Sequence, residues 1–161
     1  MIPAFGFASA TYTIVSNTIG QNKTGEVMQL IKKIIILSLL SSIVLLQFNL
    51  FFPEFIISVY TDNPSLINAT IPTLYIITGS LVLIPISITL FCGVSGTGNT
   101  RVSLIIEIAT IVIYLISAYV LAVNMNMPVE IVWCTEFIYL GVLGILSFGY
   151  LKRGKWKKIK V

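Results

Sequence analysis

Four runs of the 161-residue chain, 34–52, 71–92, 102–123 and 131–151, are apolar throughout and hold no charge except Glu107 in the third and Glu136 in the fourth. About 20 such residues, rising 1.5 Å each in a helix, cross ~30 Å of hydrocarbon. In that solvent every backbone N–H and C=O must find its partner inside the segment, which a helix provides and an isolated strand does not. The chain therefore reads as all-α, a polytopic membrane helix bundle. Composition agrees, because only 10% of the residues are charged, whereas soluble domains carry about a quarter. Ten Lys/Arg and six Asp/Glu cannot cover the surface a soluble domain of this size leaves exposed. A fifth segment, 2–19, is uncharged but rich in small and hydroxyl side chains, and it reads as a helix lacking its beginning. This gives about five transmembrane helices, the first truncated.

The breaks between the runs are polar and turn-like: Gly20 to Gly25, Tyr60 to Ser65, Gly96 to Thr100, and Asn124 to Pro128. Lysine and arginine accumulate on the cytoplasmic side of membrane proteins, and here they alternate completely. Lys23, Lys32 and Lys33 flank the first break, Arg101 follows the third, and six basic residues lie in the tail 152–161, while the second and fourth breaks have none. The expected topology places the first break and the basic tail in the cytoplasm, and the 53–70 and 124–130 connections outside. Phe51, Phe52 and Trp133 then fall at the outer boundary, with Tyr150 and Trp156 at or beyond the inner one, where amphipathic rings prefer to sit.

Several function classes are excluded. With no histidine the chain lacks the usual neutral-pH proton shuttle and the commonest metal ligand, and it has no Gly-x-Ser-x-Gly nucleophile motif. It reads as no enzyme, with no metal site and no cofactor. The basic residues make a tail rather than a groove for nucleic acid. Gly93, Gly96 and Gly98 lack the lysine of a phosphate loop and read as a tight turn. Cys92 and Cys134, each in an apolar run, read as unbridged packing residues, and 1–19 has no basic n-region of a cleavable leader.

Glu107 and Glu136 are the candidates for chemistry, because a carboxylate in hydrocarbon is costly and is kept for a proton, ion or substrate path by default. The two helices run in opposite directions, so the glutamates sit at opposite depths and do not form one paired site. Ser103 and Thr110 share a face with Glu107, and Tyr139, three residues on, is the expected partner of Glu136. Pro85 interrupts the second run and is expected to kink it, with Ser87 and Thr89 bonding to the freed carbonyls. Thr11, Thr13, Ser16, Asn17 and Gln21 form a polar stripe that could line a pathway. The spacing of Ala4 with Ala8 and Gly6 with Ala10 equally suits close helix packing.

Ile19-Gly20-Gln21-Asn22 after the first helix, Pro53-Glu54 with Tyr60-Thr61-Asp62-Asn63-Pro64 after the next, and Gly96-Thr97-Gly98-Asn99-Thr100-Arg101 after the third resemble, in order and spacing, the multidrug and toxic compound extrusion (MATE) transporters. The resemblance implies the eighth to twelfth helices of a twelve-helix protein, part of a six-helix C-terminal lobe whose N-terminal lobe is missing. It also implies a fragment of a cation-coupled antiporter that exchanges H+ or Na+ for cationic small molecules by alternating access, inactive alone, in a bacterial-type inner membrane. Ser95 and Asn99 stand where that family often has Arg and Asp, and 83–86 lacks the aspartate of sodium-linked members. The alternatives are a lipid-linked oligosaccharide flippase, whose cavity would favour basic residues, and a small structural membrane protein.

Single cysteines placed at Lys23 and Lys157, in a background without Cys92 and Cys134, should resist an impermeant thiol reagent added to intact cells. Cysteines at Asn63 and Asn126 should react. The reverse pattern would invert the topology.

Overall fold

Two helices of the computed structural model, which describes residues 2–154 and 156, begin at short polar side chains that cap them. The Asn63 side chain accepts from the Ser65 N–H at 3.0 Å, with Pro64 in the first turn behind it. Asn99 accepts from the Val102 N–H at 3.3 Å. Each satisfies a backbone donor that a helix N-terminus leaves unpaired. Asn22 and Asn126 take the left-handed region at φ 61° and 48°, which asparagine tolerates, and Gly154 closes the last helix in the same region.

Among the described residues every regular element is helical: α1 Ile2–Gly20, α2 Val27–Phe51, α3 Pro53–Ser58, α4 Pro64–Ser80, α5 Leu83–Gly96, α6 Thr100–Tyr119, a π turn Val120–Asn124, α7 Val129–Trp133 and α8 Thr135–Arg153. Val27–Phe51, Thr100–Asn124 and Val129–Arg153 are long and apolar enough to cross a membrane, and α4 with α5 makes a fourth span if the bent pair counts as one. Helix α1 is not among these, consistent with its hydroxyl-rich sequence. Lys32 and Lys33 lie inside α2 on exposed positions, because a helix can run past the hydrocarbon edge and let long basic side chains reach water.

The run 71–92 is broken rather than continuous. α4 and α5 meet at a 45° bend around Leu81 and Val82. Pro85, in the first turn of α5, has no N–H for the Leu81 carbonyl and its ring crowds that oxygen, so the disturbance lies one turn upstream of the proline. The expected hydroxyl repair is not made. Thr89 Oγ1 is buried without a hydrogen-bond partner among the described residues, and Ser87 Oγ instead faces Gly144, 2.9 Å from where a Cβ would stand.

α5 is the centre of the bundle, packed mainly on α1 and α8 and also on α2. α1 turns Ala4, Ala8, Thr11 and Val15 inward, whereas Gly6 and Ala10 are exposed. Ser16 Oγ donates to the Gly96 carbonyl at 3.0 Å, at a point where a Cβ on Gly96 would come within 2.8 Å of the Tyr12 carbonyl oxygen. Large apolar side chains point outward instead: Leu104, Ile105, Leu115 and Ile116 on α6, and Ile36, Leu37, Leu40 and Val44 on α2 are all more than half exposed. This is the arrangement expected of a protein whose solvent is lipid.

The sequence placed Trp156 as an interfacial ring. It is instead 1% exposed in the apolar cluster of Val15, Val27, Ile31, Val94 and Leu151, and its Nε1–H donates to the Leu151 carbonyl at 3.0 Å. The left-handed Gly154 turns the chain back beneath the bundle. Lys155 and residues 157–161 of the expected tail lie outside the described residues.

Gly96→Ala should cost about 1–3 kcal/mol, because the obstacle is backbone and cannot rotate away. Gly149→Ala, where a Cβ meets nothing within 4 Å, should be neutral or slightly stabilising. Thermal unfolding in detergent, followed by circular dichroism, compares the two. Equal midpoints would remove Gly96 from the packing argument.

Candidate functional site

α6 packs against α8, and its middle turns face the early turns of α8. Glu107 on α6 is thereby brought to Tyr139 on α8, whose hydroxyl donates to Glu107 Oε1 at 3.1 Å. Among the described residues this is the one side-chain donor to Glu107. Tyr139 is thus the partner of Glu107 rather than of Glu136, the reverse of the expectation from i, i+3 spacing. The acceptor comes from the neighbouring helix rather than from the preceding turn of α8.

Glu136 lies in the first turn of α8, where the helix dipole favours a negative charge. It is half-buried, with no hydrogen-bond partner among the described residues. It opens to a cavity of about 380 Å³ lined also by Tyr114, Trp133, Met127, Val132 and Thr135. The π turn at the end of α6 contributes Ala122 to this wall, and such turns are frequent beside functional sites. Glu107 opens to a different groove, of about 340 Å³, shared with Tyr12, Phe91, Ser95 and Ser103. The two carboxylates therefore serve separate spaces. Thr110 turns away from both and bonds to the Ile106 carbonyl of its own helix.

The polar stripe on α1 divides. Thr11 and Ser16 are spent on packing and on backbone carbonyls, while Thr13, Asn17 and Gln21 are exposed. Asn17 and Gln21 have no side-chain hydrogen bond among the described residues, and neither lines the cavity or the groove. Cys92 and Cys134 are both free thiols.

The turn between α5 and α6 is tied to α8. Asn99 caps α6 with its oxygen and donates its Nδ2–H to the Tyr150 hydroxyl at 3.0 Å. An amide can do both at once, whereas an aspartate could only accept. That is a structural use for the asparagine found where the resemblance leads one to expect an acid.

The MatE family model matches residues 1–120, a stretch that contains Glu107, Tyr114, the capped turn and the bent α4–α5 pair. The chain belongs to the MatE family. It is 29% identical over 161 residues to a probable multidrug resistance protein NorM from Thermotoga maritima, an alignment covering 98% of this chain and 34% of the relative. This MatE chain thus spans about a third of that relative's length. No solved structure matches it significantly.

Sequence reasoning missed two aromatic members of the site. Tyr114 meets Tyr139 edge to face, with ring centroids 5.9 Å apart and planes at 78°. Its position seven residues after Glu107, two turns along one helical face, was the available signal. Trp133 read as a boundary ring, and its place in the cavity follows from the short helix α7 preceding α8.

Asn99→Ala should cost about 1 kcal/mol or somewhat more, since it removes a cap and an interhelical bond together. Tyr150→Phe should cost less, as only the second is lost. Unfolding midpoints of the two variants check the order, and a reversed order would deny the cap its role.

Proposed function

We propose that this chain forms part of a cation-coupled multidrug antiporter, exchanging H+ or Na+ for cationic small molecules by alternating access. Glu136 and Glu107 line the path. The observation that carries the reading is the Glu136 carboxylate, half-buried and without a hydrogen-bond partner among the described residues, facing a cavity walled by Tyr114 and Trp133. A carboxylate held in low dielectric is costly until a proton or cation neutralises it, and aromatic faces attract the same cations. Tyr139 belongs to the site as the donor to Glu107. Asn17 and Gln21, exposed on α1, face the partner this reading requires, the N-terminal lobe of the transporter. Alone, the chain would be inactive. The role is transport rather than catalysis, and the relative's description as a multidrug resistance protein favours drug-like cations as cargo.

The reading places the chain in a bacterial-type cytoplasmic membrane, with the bilayer around it and the basic tail inside. The clustering of Lys23, Arg101, Lys152 and Arg153 at helix ends supports that orientation.

A chimera in which this chain replaces the matching third of the Thermotoga relative tests the proposal by ethidium efflux from cells lacking their own pumps. The chimera should export, the chain alone should not, and Glu136→Gln in the chimera should lower efflux at least about tenfold, in line with loss of a group that must carry charge. Full efflux with Glu136→Gln would retire Glu136 as part of the path.

A further inference from the structure

Two spaces that share no lining residue are joined by an unbroken chain of side-chain contacts. Tyr114 is a wall of the Glu136 cavity. Its ring meets Tyr139 edge to face at 5.9 Å. The Tyr139 hydroxyl holds Glu107 at 3.1 Å, and Glu107 lines the groove beside the α5–α6 turn. We propose that Tyr114 and Tyr139 are positioning residues coupling the two spaces, so that a lipophilic monovalent cation seated beside Glu136 is sensed at Glu107.

The physics is that of a lever. A cation with an apolar body that settles against Trp133 and Glu136 must also press on the Tyr114 ring, because that ring closes the same cavity. An edge-to-face pair passes such a displacement on, since moving one ring toward the other brings carbon atoms into overlap. Tyr139 then pivots about its own helix. The hydrogen bond to Glu107 fails once the hydroxyl withdraws by about half an ångström. Glu107 is left without a side-chain donor among the described residues, which a charged carboxylate in apolar surroundings tolerates poorly. Coupling is reciprocal: whatever changes the Tyr139–Glu107 bond must change the affinity of the cavity by the same factor. A two-position element is what distinguishes coupling from mere adjacency, and under this proposal that role falls to Tyr139, bonded to Glu107 in one position and withdrawn from it in the other.

The inference rests on the reading that the Glu136 cavity receives a cation, and the experiment separates the two. The 161-residue chain is placed in lipid nanodiscs and titrated with tetraphenylphosphonium. Trp133 emission is taken as the difference between the chain and its Trp133→Phe variant, and binding is measured in parallel by equilibrium dialysis. Glu107→Leu, which has no acceptor for the Tyr139 hydroxyl and lies about two turns from the cavity along α6, should change the affinity about fivefold or more. The same substitution made on top of Tyr139→Phe should change it less than twofold, the signature of a pair coupled through that hydroxyl. Without any cation, Tyr139→Phe and Glu107→Leu should shift the Trp133 emission maximum alike, because each removes one half of the Tyr139–Glu107 bond and releases the same ring.

An unchanged affinity in Glu107→Leu overturns the coupling, and an effect that survives in Tyr139→Phe overturns its route. If no tetraphenylphosphonium binds, the cation reading of the cavity fails, and the emission shift alone decides the coupling. Shifts that agree would uphold it as a conformational link, and an absent shift would end it.

Discussion

In lipid, apolar side chains gain little by leaving solvent for a neighbouring helix, so association depends on how closely backbones can approach and on the polar bonds made once they do. The whole arrangement hangs on α5. Gly96 lets α1 come close enough for Ser16 to reach its carbonyl, and Gly144 admits the Ser87 side chain where α8 crosses. With α1 on one side and α8 on the other, α5 is the most enclosed helix, while α2 and α6 keep broad apolar faces outward. The bend before α5 fits this position, because a helix enclosed by neighbours can carry a backbone irregularity that a lipid-facing helix could not satisfy.

The same geometry creates the polar site. Once α5 holds α8, α8 holds α6, and the antiparallel pairing of those two helices presents Tyr139 to Glu107. Glu136 faces an open cavity and has no hydrogen-bond partner among the described residues. A single tyrosine therefore divides two carboxylates into one that is bonded and one that is available. In a low dielectric this difference matters far more than it would in water.

Much of this was legible beforehand. The helical class follows from four apolar runs, and the turns follow from Asn63-Pro64, Gly98-Asn99 and Asn22, whose conformational and capping preferences are local. Glu107 and Glu136 stood out because charge in hydrocarbon is conspicuous in a sequence. The inward turn of Trp156 was not legible, since an aromatic ring near a membrane boundary suits the interface and the core equally well. The bend was misplaced by one turn, because a proline disturbs the carbonyl four residues before it. The α1 stripe divided for a reason no periodicity exposes: Thr11 and Ser16 face α5, and Asn17 does not.

By itself the sequence determined that the chain is helical, where its turns lie, which carboxylates are costly, and the family it resembles. Each of these depends on residues within a turn or two of one another, or on the length of an apolar run. Only the tertiary structure decided that Tyr139 serves Glu107, that Tyr114 links it to the Glu136 cavity, and that Asn99 reaches Tyr150. Those pairings span 25 to 51 positions of chain, and they depend on the rotation and depth of one helix against another. Glycines and hydroxyls at the crossings set both, and each acts only against a partner on another helix.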